Sequence, residues 1–102
     1  MTIKELQEQA RELRAAQGWL DTSLEHRIMF LVTEVGEVVN ETLKLVGATK
    51  QYSDSEVEQI KANLGLELYD VLWNLCDLAN LAGIDLEAAF AKKVAINRTR
   101  KW

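Results

Sequence analysis

Proline is absent from this 102-residue chain, and glycine occurs only five times. Helices can therefore run long without built-in breaks. One cysteine is present, Cys76. A lone cysteine closes no internal disulfide and gives no sign of an oxidising compartment, so it reads as a small buried apolar residue. Long hydrophobic runs are also missing. No stretch approaches the roughly 18 consecutive apolar residues of a membrane span, and Met1 to Gln9 lacks the apolar core of a secretory signal. A cytoplasmic location with no membrane partner is the expectation. An excess of positive charge is lacking as well: 12 Lys and Arg face 16 Asp and Glu, a net charge of −4. General nucleic-acid binding rests on a basic footprint, so no nucleic-acid partner is expected. Repeats, low-complexity tracts and linkers are absent, and the length fits one domain over residues 1–102.

What the chain does have is helical periodicity. Ile3, Leu6, Ala10 and Leu13 form an apolar stripe over a first helix, Ile3 to Ala16. Thr2 and Glu5 have capping-box spacing at its start, and Gly18 ends it. A second helix should begin after Thr22 or Ser23 and reach Val46, with Gly47 as its stop. Its core face is Leu24, Ile28, Leu31, Val32, Val35, Val38 and Val39. Ala48 to Asp54 reads as a polar loop. A third helix should start after Ser53 or Ser55 and run to Ala82, with Gly83 closing it. Gly65 inside it costs about 1 kcal/mol against alanine and would permit close approach of another helix. A fourth helix should follow Asp85 toward Arg98. Four helices with short connections predict an all-α, four-helix bundle-like fold.

The polar residues of the long helices are ordered. On the third helix Asn63, Glu67, Asp70, Asn74 and Asp77 recur at spacings of four and three. They form one seam of acids and amides beside a broad apolar face of Ile60, Leu64, Leu68, Val71, Leu72, Leu75 and Leu78. The second helix carries Arg27, Phe30, Glu34, Glu37, Glu41 and Lys44 along a similar line. If the seams face each other, Glu34, Glu37, Glu67 and Asp70 converge. Burying four unpaired carboxylates is very costly. Either some take protons with raised pKa values, or a cation sits between them. An all-oxygen set selects Mg²⁺ or Mn²⁺ over Zn²⁺. A di-iron bundle would need Glu-x-x-His pairs, and the chain has one histidine, His26, and no such pair. The bland alternative is that all four acids are solvated surface residues.

Glu34-Val35-Gly36-Glu37, followed by Glu67-Leu68-Tyr69-Asp70-Val71-Leu72, resembles the paired E-x-x-E and E-x-x-D motifs of MazG-like nucleotide pyrophosphohydrolases. Gly83-Ile84-Asp85-Leu86-Glu87 with Lys93-x-x-x-Asn97-Arg98 is similar to that family's C-terminal pattern, so the likeness covers nearly the whole chain. It implies an all-α fold whose two acidic helices supply Mg²⁺ ligands and catalytic groups from Glu34, Glu37, Glu67 and Asp70. It also implies hydrolysis of a nucleoside or deoxynucleoside triphosphate to the monophosphate and pyrophosphate. Lys93 and Asn97 would then reach phosphate or sugar oxygens. One departure from the pattern is Asn74, which stands where members often carry an aromatic residue, with Trp73 before it. That position bears on base and sugar recognition.

Other residues complete the expectation. Trp19 could stack on a base or pack at the bundle mouth. Asn74 joins it, Lys93 and Asn97 as candidates for substrate binding. Lys93 could equally snorkel from the apolar line of Leu86, Phe90 and Val94. Lys92, Lys93, Arg98, Arg100 and Lys101 make the C-terminal end basic, which suits a helix C-terminus and could attract phosphate. Tyr69 and Trp73 on the third helix read as a partner surface. Surplus apolar surface predicts a homodimer or a dimer of dimers. The competing readings are a narrower pyrophosphohydrolase for dUTP, dCTP or a phosphoribosyl-nucleotide, and a non-catalytic bundle that binds a protein.

Overall fold

Serine, threonine and aspartate side chains set the helix starts. The computed structural model describes residues 1–19, 21–48 and 50–102; Thr49, within the expected polar loop, lies outside them. Regular structure among these residues is entirely helical: α1 Ile3–Gln17, α2 Leu24–Leu45, α3 Asp54–Leu81 and α4 Leu86–Thr99. Ser23, not Thr22, caps α2, and Ser53, not Ser55, caps α3 in a reciprocal capping box with Glu56. Thr2 and Asp85 cap α1 and α4. Each of these side chains accepts an N–H that the first helical turn cannot satisfy internally. Gly18 takes the left-handed conformation that closes α1, with φ of 72°, where a Cβ would be strained.

The chain forms an all-α bundle in which α2 and α3 make the main packed pair and α1 lies on α3. Arg27 meets Asn74 and Asp77, whereas Glu34 meets Glu67 and Asp70. The two long helices therefore run antiparallel. Helix α4 has its main packing partner in α1, and none of its residues is buried. Gln7 fixes that corner. Its amide nitrogen donates to Asn80 Oδ1 and to the Ile84 carbonyl, both at 2.9 Å, and its oxygen accepts from the Leu86 amide at 3.0 Å.

The interior differs from the stripes read in the sequence. On α1 the buried residues are Gln7, Ala10 and Arg14. The inward line thus shifts by one position from Leu6 and Leu13, because Gln7 and Arg14 find partners on α3. On α3 the buried set is Ile60, Asn74, Cys76, Asp77 and Ala79, so the polar seam points inward. Leu66, Leu68 and Leu75 remain exposed, as do Ile28, Val32, Val35 and Val39 on α2. Among the described residues the buried apolar core is small: Ala10, Leu31, Ile60, Cys76 and Ala79. Cys76 is buried as expected. Among the described residues a Cβ at Gly65 would meet nothing within 4 Å, so the close helix approach anticipated there does not occur among them.

Candidate active site between the long helices

The 3–4 residue spacing of the acidic seams puts Glu34 on one wall and Glu67 with Asp70 on the other. Their carboxylates each bring an oxygen within 4.8 Å of the other two, and all three residues are half-buried. Glu37, one turn further along α2, is exposed and stands outside this trio. Glu34 reports the crowding. Its pKa is raised, first by burial, then by the charges of Asp70 and Glu67, a hydrogen bond with Glu67, and the charge of Glu37. Both seams thus face each other, with Glu37 near enough to be felt electrostatically.

Beside the trio lies a cavity of about 550 Å³, lined by Leu13, Trp19, Thr22, Arg27, Phe30, Glu34, Tyr69, Asp70, Trp73 and Asn74. That size falls within the roughly 300–1,000 Å³ of small-molecule sites. Trp19 stands edge-on to Trp73, with ring centroids 5.9 Å apart. Tyr69 and Trp73, read from the sequence as a partner surface, line this cavity.

Arg27 and Asn74 in the cavity wall belong to a buried ion network. Asp77 is fully buried and receives Arg14 through Nε at 2.9 Å and Nη2 at 2.5 Å. Arg27 Nε lies 2.6 Å from Asp77 Oδ2 as an ion pair, though it is not aligned as a hydrogen bond. Arg27 Nη1 donates to Asn74 Oδ1 at 2.8 Å, and Asn74 Nδ2 donates to the Asp70 carbonyl at 2.7 Å. The guanidinium also lies 4.6 Å from the Trp73 ring centroid and 5.5 Å from that of Phe30. Burial lowers the Arg27 pKa, the charge of Asp77 opposes that, and Arg14 adds to it. Arg14 Nη1 further donates to the Trp19 carbonyl at 3.3 Å, tying the aromatic connection to the same network.

The proposed substrate residues separate. Trp19 and Asn74 are in the cavity wall, Asn74 with both ends of its amide already engaged within the chain. Lys93 and Asn97 are not among the described lining residues. Lys93 is exposed on α4, and Asn97 is half-buried with Oδ1 shielded and no partner among the described residues. Sequence reasoning missed Arg14 and Asp77 as a pair. Asp77 belonged to the acidic seam, but its partner comes from α1, 63 residues away, and no local spacing reports it.

No family model matches the chain. A stretch of 42 residues, 41% of this chain, is 48% identical to a dATP/dGTP diphosphohydrolase of Cyanophage S-2L. The aligned stretch spans 40% of that protein's length.

Proposed function

We propose that this protein is a Mg²⁺-dependent nucleotide pyrophosphohydrolase of the MazG-like kind, converting a (d)NTP to the (d)NMP and pyrophosphate. The observation that carries this reading is the convergence of Glu34, Glu67 and Asp70 at the edge of an aromatic-walled cavity. The partial likeness to a dATP/dGTP diphosphohydrolase supports the same reaction class.

The residues fit a hard divalent cation. Their donors are all carboxylate oxygens, the set that favours Mg²⁺ or Mn²⁺, and the pKa of Glu34 is raised by burial first and then by the neighbouring charges of Asp70 and Glu67. Glu34, Glu67 and Asp70 would hold the ion, with Glu37 adjacent. When bound, such an ion neutralises polyphosphate charge and polarises a phosphoryl oxygen. The chain's own part is to position the reactants. The cavity orients the nucleoside through its aromatic walls. A carboxylate not engaged in ligation takes a proton from the attacking water. The water oxygen bonds to the α-phosphorus, the Pα–O–Pβ bridge breaks, and pyrophosphate leaves with the bridging oxygen. Lys93 and Asn97 sit on α4, which packs chiefly on α1, and would join this centre in an assembly where α4 of a second copy lies against α2 and α3.

The test is pyrophosphate release from a panel of (d)NTPs with Mg²⁺ or with EDTA. Release should require the metal. Glu67→Gln and Asp70→Asn should each lower kcat on the order of a hundredfold or more, as loss of a charge-stabilising group does. Equal release in EDTA, or full activity in both variants, would sink the proposal.

A further inference from the structure

We propose that Arg27 makes the cavity selective for bases with a carbonyl oxygen at purine C6 or pyrimidine C4, namely guanine, hypoxanthine, uracil or thymine, over adenine and cytosine, which carry an amino group at that position. This rests on the pyrophosphohydrolase reading and adds the class of base to it.

A guanidinium carries five N–H donors and no acceptor. Asp77 and Asn74 engage Arg27 at Nε and Nη1, which leaves further donors in the cavity wall. The group is held in place. It is only 5% exposed and packs on the faces of Trp73 and Phe30. It cannot be fully neutralised by Asp77, because that carboxylate also takes both forks of Arg14. Two cations therefore share one anion, so Arg27 stays a donor towards the cavity it lines.

Asn74 does not supply a compensating acceptor. Its oxygen is taken by Arg27 and its nitrogen by the Asp70 carbonyl. Turning the amide over would set donor against donor at Arg27 and acceptor against acceptor at Asp70. An amino-bearing base edge entering here would bring more N–H groups against the N–H groups of Arg27. A carbonyl edge would accept from them, as guanine O6 and N7 do from arginine in nucleic-acid recognition. Placement also fits. Arg27 and Glu34 lie seven residues apart on α2, about 10 Å at the helical rise. A sugar then spans the gap between a base at the aromatic end and phosphates at the carboxylate trio.

The direct test compares substrates that differ at this edge. With Mg²⁺, kcat/KM should be higher for dITP than for dATP, and for dUTP than for dCTP, by on the order of tenfold to hundredfold. Tryptophan fluorescence in EDTA supplies a readout without catalysis: dIMP should bind more tightly than dAMP. In Arg27→Lys, which keeps the charge for Asp77 but loses the planar fork, both ratios should fall toward one. Equal kcat/KM for dITP and dATP, a preference for the amino base, or an unchanged ratio in folded Arg27→Lys would overturn the base assignment and leave the hydrolase reading standing. No pyrophosphate from any triphosphate, with dIMP still held more tightly than dAMP, would overturn the hydrolase reading and keep the pocket assignment.

Discussion

At the scale of single residues, Glu34 is where the fold and the proposed chemistry oppose each other. Burial and the negative charges of Asp70, Glu67 and Glu37 raise its pKa from the ordinary 4.5. A carboxyl whose folded pKa exceeds its unfolded one binds more protons in the folded state over the interval between the two. Its contribution to stability is fully present below the unfolded value and is lost as the pH climbs through the raised one. Metal-free protein should therefore melt at higher temperature as pH is lowered toward 4.5 from above. Glu34→Gln should flatten that slope and raise the melting temperature of the metal-free form near neutral pH. A bound cation reverses the sense, since it needs the deprotonated carboxylates and stabilises the native state by mass action. Thermal melts across pH, in EDTA and in Mg²⁺, check both signs. An identical EDTA slope in wild type and Glu34→Gln would refute the assignment of strain to this residue.

At the scale of elements, Asp77 binds α1, α2 and α3 together through Arg14 and Arg27, although it was legible in the sequence only as one more acid in a seam. Helix number and ends were readable because their signals are local: Ser23 and Asp85 cap within one turn, and Gly18 and Gly83 stop helices with their own backbone. The facing of the two seams was readable because periods of three and four put Glu34, Glu67 and Asp70 on definite helix faces. Partners across 63 residues were not readable, since an arginine at position 14 has no local property that sets it apart from Arg11, which instead pairs with Glu8 on the surface. The same limit explains Trp73 and Tyr69: their position on the wheel was visible, and the cavity in front of them depends on Trp19 and Phe30 arriving from other elements. The Asp77 network has a measurable weight. Removing one member of a buried ion cluster leaves uncompensated charge and costs about 3–5 kcal/mol. Asp77→Ala strands two arginines and should lose an amount in that range in urea unfolding at fixed protein concentration. A loss under 1 kcal/mol would mean that the arginines escape to water and that the network does not hold the helices.

At the scale of the whole molecule, the single chain is extended and its apolar surface faces outward. Its radius of gyration is 16.6 Å, against about 13 Å for a compact domain of this length. It exposes 7372 Å², where a compact monomer of its mass exposes about 5,800 Å². The surplus is about twice the 800 Å² that each partner gives to a standard interface. Ile28, Val32, Val35, Val39 and Leu43 are exposed at spacings of four, three, four and four along α2, and Val46 at its C-cap continues the line. They form one continuous apolar face, and helix pairs bury such a face. We propose a second copy as the occupant. The polar seam takes up much of the interior between α2 and α3, and a self-complementary, two-fold contact would cover the apolar faces left outside. No helix of the described residues is long and apolar enough to cross a membrane. Sedimentation at micromolar concentration should give two copies or a multiple of two, and the melting temperature should rise with protein concentration. Val35→Glu together with Val39→Glu should shift the mass toward a monomer or abolish folding outright, because the monomer keeps only a small apolar core. A stable wild-type monomer with a concentration-independent melting temperature would overturn the homo-oligomer.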